Sequence, residues 1–186
     1  IMLVNYILDK TNVNAESQAV KNTREILCKV SQQIPRAFYT NLSAFVSLYE
    51  SEAYLLRNAL TEIITEIIKQ VLTNREATDE DIDTQDAHKK AKIRLLDKLI
   101  KRVNDKHAYC RSHVLKAFVE LCNTNVVPKT YLRVMLIKGC ERVKDISANV
   151  RKKALELIDK VIRMYYSIFV GNTDTGFLTV PETKKS

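Results

Sequence analysis

Apolar residues in this chain recur at intervals of three and four over long stretches, the spacing that lines up side chains on one face of an α-helix. The clearest stretch is Ala53 to Leu72, where Leu56, Leu60, Ile63, Ile67 and Val71 share a face that Ile64 and Ile68 widen. Upstream, Ala15 to Ile34 reads as a helix with Ala19, Ile26 and Val30 inward, joined by Leu27 and Cys28, and Pro35 stops it. A shorter helix, Phe38 to Tyr49, presents Phe38, Leu42, Phe45, Val46 and Tyr49. Downstream, Gln85 to Val103 buries Ile93, Leu96, Ile100 and Val103, and His107 to Cys122 buries Val114, Phe118 and Leu121. Pro128 opens a further pair, with Leu132, Leu136, Cys140 and Val143 inward on Thr130 to Val143. Its partner, Ala148 to Phe169, turns Val150, Ala154, Leu157, Val161 and Tyr165 inward. The first ten residues read as the end of an earlier helix, and residues 170–186 have no helical period and read as a flexible or docked tail.

Superposed on these helices is a repeat. Asp105 precedes Arg111 by six residues and Asp145 precedes Arg151 by six, so both members recur after 40 residues, a period typical of helix-pair repeats. Arg57 stands at the equivalent point of ESEAYLLRNALTEII, with Glu50, Ser51 and Glu52 in the turn before it. Arg57 and Arg111 are 54 residues apart, one period plus 14, and the polar stretch Asn74 to Ala87 accounts for the surplus. The predicted fold is therefore all-α, an α-solenoid of antiparallel helix pairs. Residues 1–34 are the end of a preceding repeat, 35–73 a repeat, 74–88 an acidic linker, and 89–124 and 128–169 two further repeats. Asp in the turn and Arg early in the second helix is the pattern of HEAT repeats. A turn carboxylate can cap a helix while the arginine bonds across to the neighbouring turn, so Arg57, Asp105, Arg111, Asp145 and Arg151 are expected to be structural.

Composition narrows the function. Three glycines and three prolines in 186 residues suit helices. Cys28, Cys110, Cys122 and Cys140 lie inside predicted helices without a CxxC pair, which disfavours a zinc ribbon or a secreted disulfide framework. No apolar run of 18 residues and no signal-peptide pattern occurs, and a chain that starts at Ile1 reads as a piece of a longer one. Phosphate loops and nucleophile or zinc-protease motifs are missing, so no cofactor is expected and the chain reads as a binding scaffold rather than an enzyme. His107, Cys110 and His113 on one helix spread too far round it to close a tetrahedral metal site. The run Asp79, Glu80, Asp81, Asp83 and Asp86 lacks the glycine and terminal glutamate of a calcium loop.

Charge is the feature that points to a partner. Net charge is +8, yet residues 1–88 carry 8 Lys/Arg against 13 Asp/Glu while residues 89–186 carry 22 against 9. Two groupings are candidate phosphate contacts: Lys89, Lys90, Lys92, Arg94, Lys98, Lys101, Arg102 and Lys106, and then Lys144, Lys152 and Lys153, with Lys138 and Arg142 nearby. Lys90, Arg94, Lys98 and Arg102 form a ladder at every fourth residue. Aromatic residues are sparse among them, which favours contact with a nucleic-acid backbone over base reading. A solvated helix face is the plain alternative.

The segments SLYESEAYLLRNALTEII, VNDKHAYCRSHVLKAFVELC and VPKTYLRVMLIKGCERVKDISANVRKKALELIDKVI, in that order and spacing, resemble the HEAT-repeat, non-SMC subunits of condensin, that of condensin I above all. The resemblance covers most of residues 20–168. It implies a non-enzymatic subunit of a machine that compacts mitotic chromosomes, with a kleisin and the SMC ATPases as partners and double-stranded DNA as a candidate ligand. It implies a place in the nucleus and on mitotic chromosomes, with the cytoplasm left open. Other HEAT scaffolds remain as alternatives: the condensin II subunit, a transport carrier or a phosphatase scaffold. The lack of tryptophan and the basic second half speak against a carrier of basic signals.

Overall fold

The computed structural model of the chain describes residues 17–72 and 82–169. The described residues are helical, with no strand among them. In order they form α1 (Gln18–Gln33), α2 (Pro35–Thr40), α3 (Leu42–Phe45), a 3₁₀ helix (Val46–Glu50), α4 (Tyr54–Gln70), α5 (Ile82–Arg102), α6 (Ala108–Asn123), α7 (Lys129–Arg142) and α8 (Ala148–Phe169). The expected helix end in the first ten residues and the tail at 170–186 lie outside the described residues.

Four long helices pack in series, α1 on α4, α4 on α6 and α6 on α8, while α7 lies along α8 and α5 touches α4, α6 and α7. The core runs through this series without a break, from Leu27 through Leu60, Ile64 and Ile67 to Phe118, Leu121, Ala154 and Leu157. Burial of so many Leu and Ile side chains is the main driving force for the stacking. Tyr131 Oη of α7 donates to Asp97 of α5 over 2.9 Å, which fastens the second layer of helices as the core fastens the first.

Several starts and stops follow from local chemistry. The Ser17 hydroxyl accepts from Val20 N–H and caps α1. Pro35 ends α1 as expected, but it also opens α2, where its fixed φ suits a first helical position. Asn125, at φ 53°, takes the left-handed conformation just beyond α6, a role that Asn fills more readily than most residues. At Gly139 an added Cβ would lie 3.0 Å from Ile158 Cγ1, so the glycine is what lets α7 and α8 come together.

The structure departs from the pattern in four places. The stretch from Phe38 to Tyr49 is broken into α2, α3 and the 3₁₀ helix, because the apolar residues there pack as a compact knot in which the Phe38 and Phe45 rings stack at 4.8 Å. On α1 the buried stripe is Val20, Leu27, Cys28 and Ser31, whereas Ala19, Ile26 and Val30 are exposed, since only the flank turned to α4 is covered. On α5 and α7, Ile93 and Cys140 are exposed, with Leu95, Leu99 and Met135 buried in their stead. Finally, α5 is already helical at Ile82, inside the stretch 74–88 read as a linker.

Replacing Gly139 with valine should lower the unfolding free energy by about 1–3 kcal/mol through overpacking against Ile158, read as a drop in the urea midpoint.

Candidate functional site: an arginine ladder beneath a basic surface

Two of the repeated arginines, Arg57 and Arg111, each join two neighbouring turns. Arg57 Nε and Nη2 donate to the two oxygens of Asp105, both at 3.0 Å, and Nη1 donates to the carbonyls of Ser51 at 2.7 Å and Glu52 at 3.1 Å. One repeat later, Arg111 Nε and Nη2 donate to Asp145 at 2.8 and 2.9 Å, and its Nη1 to the carbonyls of Asp105 at 2.9 Å and Lys106 at 3.2 Å. The pairs are 48 and 34 residues apart in sequence, so the 14-residue insertion leaves the geometry unchanged.

Each aspartate also receives a backbone N–H two residues on, from His107 to Asp105 and from Ser147 to Asp145, both at 2.9 Å. Ser51 does the same in the first turn, accepting from Ala53 N–H at 3.2 Å, but a hydroxyl carries no charge to offer an arginine. Arg57, Asp105, Arg111 and Asp145 are buried, and such fork-to-fork pairs satisfy nearly every polar atom they take out of water. Burial works to raise the Asp105 carboxyl, but bonds from Arg57 and His107 outweigh it and hold the group below its ordinary range. Arg111 does the same for Asp145, against a smaller burial effect. Arg151 completes only half of the pattern. Its Nη1 donates to the carbonyls of Asp145 at 2.8 Å and Ile146 at 3.0 Å, and its remaining edge meets no carboxylate among the described residues.

A second polar network crosses α1, α4 and α6 and was not legible in the sequence, because its members are far apart and follow no motif. Glu62 accepts from Arg24, and His113 Nε2 lies 3.0 Å from the same carboxylate oxygen. Burial would raise the Glu62 carboxyl, yet bonds from His113, Cys28 and Arg24 bring it down to about 2. Lys69 links Glu66 at 2.8 Å to Glu120 at 2.5 Å. Arg24, Glu62, Glu66, His113 and Glu120, with Gln32, Thr65 and Lys116, line a cavity of about 300 Å³.

The candidate cations fall into three groups. Lys89, Arg94, Lys98, Lys101, Lys144 and Lys152 make no ion pair among the described residues, and of these only Lys98 is part-buried. Lys90 pairs with Asp86 and Lys106 with Glu52, both at 2.6 Å and well exposed, where such pairs contribute little, while the part-buried Lys153 pairs with Glu156 at 2.7 Å. Two are structural. Arg102 sits over the Tyr49 ring at 4.7 Å and lies 3.8 Å from Asp105. Lys92 is the clear correction: only 3% exposed, it begins the stripe Lys92, Leu96, Leu99 and Val103 that turns into the core, so it leaves the phosphate set. His107 stacks on the Tyr54 ring at 4.2 Å and Cys110 Sγ donates to the Tyr54 carbonyl at 3.6 Å, while His113 turns to Glu62. Asp79, Glu80 and Asp81 lie outside the described residues, as does the Asp83 side chain.

With the three turns and their cross-bonds established, similarity to known proteins becomes informative. A Condensin-1 complex subunit CAP-D2 of Arabidopsis thaliana is 27% identical over 143 residues, which is 77% of this chain and 10% of that protein. Condensin complex subunit 1 of Schizosaccharomyces pombe is 28% identical over 148 residues, 77% of this chain and 12% of the relative. The Xenopus laevis protein of the same name is 22% identical over 175 residues, 94% of this chain and 12% of the relative. The chain resembles condensin complex subunit 1. It spans about a tenth of the length of these condensin subunits. No family model matches it.

Two predictions follow from the ladder's geometry. Arg57→Ala or Arg111→Ala should each cost roughly 3–5 kcal/mol by stranding a buried aspartate, whereas Arg151→Ala should cost under about 1 kcal/mol in urea unfolding. Because the folded-state Asp145 is held below its ordinary value of 3.8, its contribution is complete above that pH and is lost as pH falls through the lowered value. The stability gap between the parent and Asp145→Asn should therefore be constant near neutral pH and close progressively in urea titrations below pH 3.8.

Proposed function

We propose that this segment is a run of HEAT repeats that acts as a non-enzymatic scaffold within a condensin complex. The observation that carries the reading is the Arg–Asp cross-bond made twice in series between successive helix pairs, in a chain whose named relatives are condensin subunits from plant, yeast and frog. A scaffold of this kind works by holding surfaces at fixed spacing, and cross-bonds of fixed geometry between turns do that. The partners we assign are the kleisin and SMC ATPase subunits, with ATP hydrolysis left to the latter, and the setting is chromosome condensation during mitosis.

Double-stranded DNA is the further ligand in this reading. The supporting feature is a set of cations held by no described acid: Lys89, Arg94, Lys98 and Lys101 on α5, and Lys144 and Lys152 about the next turn. Lys90, Lys106 and Lys153 can join them, since a phosphate need displace only a weak surface pair.

The test is binding of the 186-residue chain to a short DNA duplex at about 50 and about 200 mM salt, beside a variant with Lys89, Arg94, Lys98 and Lys101 changed to glutamate. This variant spares Arg102 and Lys92, whose loss would disturb the fold. The parent is expected to bind with a steep salt dependence and the variant to bind at least about tenfold more weakly with a shallower slope. A parent that does not bind at the lower salt overturns the DNA assignment and leaves those cations to protein partners.

A further inference from the structure

Aromatic residues are sparse among the basic positions of the sequence, but the fold gathers three rings from two successive turns into one stack. Tyr54, at the start of α4, lies parallel to His107, just before α6, with ring centroids 4.2 Å apart and planes 4° from each other. Tyr109 rests against both, 5.6 Å from the Tyr54 ring and 5.5 Å from His107, tilted by 22° and 25°. Tyr54 and His107 are half-buried, while Tyr109 is 60% exposed. The ladder fixes the two inner rings: Asp105, held by Arg57, accepts from the His107 N–H, and Cys110 Sγ donates to the Tyr54 carbonyl. Tyr109 is therefore an exposed ring on a rigid aromatic base, and it loses little freedom when another flat group settles on it.

Cations flank the stack. Lys101, Arg102, Asn104 and Lys106, with Glu50 and Glu52, help to line a cavity of about 310 Å³ on the same turns, and Lys106 is the residue before His107. On the next turn Ile146 takes the position of Lys106 and is 93% exposed, so the apolar edge continues there, two residues from Lys144. A ligand suited to such an edge carries flat apolar faces with a negative charge beside each. Bases in a duplex hide those faces against one another, whereas an unpaired strand offers them together with its phosphates.

We propose that the stack of Tyr54, His107 and Tyr109 is a platform for an unpaired base of single-stranded nucleic acid, whose backbone is held by Lys101 and Lys106. One base lies on the Tyr109 ring and Ile146 supports a neighbouring base. The inference shares with the reading above only that nucleic acid is the ligand, and it adds contact with bases to contact with the backbone.

The chain has no tryptophan, so Tyr109→Trp sets a single indole on the platform. This variant is titrated at about 50 mM salt with an oligothymidylate of about 20 nucleotides and, separately, with a duplex of the same length. Indole fluorescence reports stacking, and anisotropy of the labelled nucleic acid reports binding. The indole should be quenched as the strand saturates the protein and left unchanged by the duplex. Tyr166→Trp, about 27 Å along α8 from its start, is the control and should not be quenched. Tyr109→Leu keeps an apolar side chain but removes the ring, and should bind the strand about tenfold more weakly with its duplex binding unchanged. Circular dichroism should show all three variants folded as the parent is, since both tyrosines are exposed. A strand bound without quenching, equal quenching by the duplex, or a Tyr109→Leu variant that binds the strand as the parent does overturns the proposal. So does a strand that fails to bind. Duplex binding by the parent then decides the earlier reading on its own: a bound duplex leaves that reading standing while the platform falls, and no binding of either ligand removes both.

Discussion

A buried guanidinium bonded through two parallel N–H groups to the carboxylate of the next turn is the constraint on which the stacking depends. Hydrophobic burial drives helix to helix, but Leu and Ile faces alone tolerate sliding and rotation with little loss. The Arg57–Asp105 and Arg111–Asp145 pairs do not, because a planar fork meets a planar carboxylate in one orientation. Each aspartate is in turn fixed by a backbone N–H of its own turn, and each arginine by two carbonyls of its own turn, so the angle between successive helix pairs is set by backbone on both sides. The desolvation such pairs incur is large, and it is tolerable here because nearly every donor and acceptor is used.

The arrangement also separates structural charge from available charge. The buried arginines are consumed by the ladder, and Arg102 is drawn partly into it by Tyr49 and Asp105. Lysines on the outer side of α5 and around the following turn are left to solvent, apart from weak surface pairs. A sequence rich in Lys and Arg is thus divided by the fold into a frame and a surface, and only the second part can meet a ligand without loss of stability.

Much of this was legible in the sequence because the ladder repeats at fixed spacing and because the helices carry strong apolar periodicity. Their ends were found to within a few residues where Pro35, Pro128 or an Asp-containing turn marks them. What was missed has physical causes. The Phe38 to Tyr49 stretch has enough apolar residues for a helix, but tertiary packing of two phenylalanines broke it. Lys92 was taken with its lysine neighbours because composition does not tell which face of a helix a long side chain leaves by; its place at the head of the Leu96, Leu99 and Val103 stripe was the available signal. The Glu62 network joins residues of α1, α4 and α6, and no local pattern announces such a meeting.

Ser51 occupies the place that Asp105 and Asp145 hold in the later turns, and that single difference gives the ladder a direction. Arginines reach forward along the chain and carboxylates receive from behind, so one end of the described array is a donor and the other, having only a hydroxyl and two carbonyls already bound by Arg57, is no acceptor. Among the described residues each restraint is therefore passed one way, from the arginine of one helix pair to the turn of the next, and the stacking angle is inherited along the chain in a single direction.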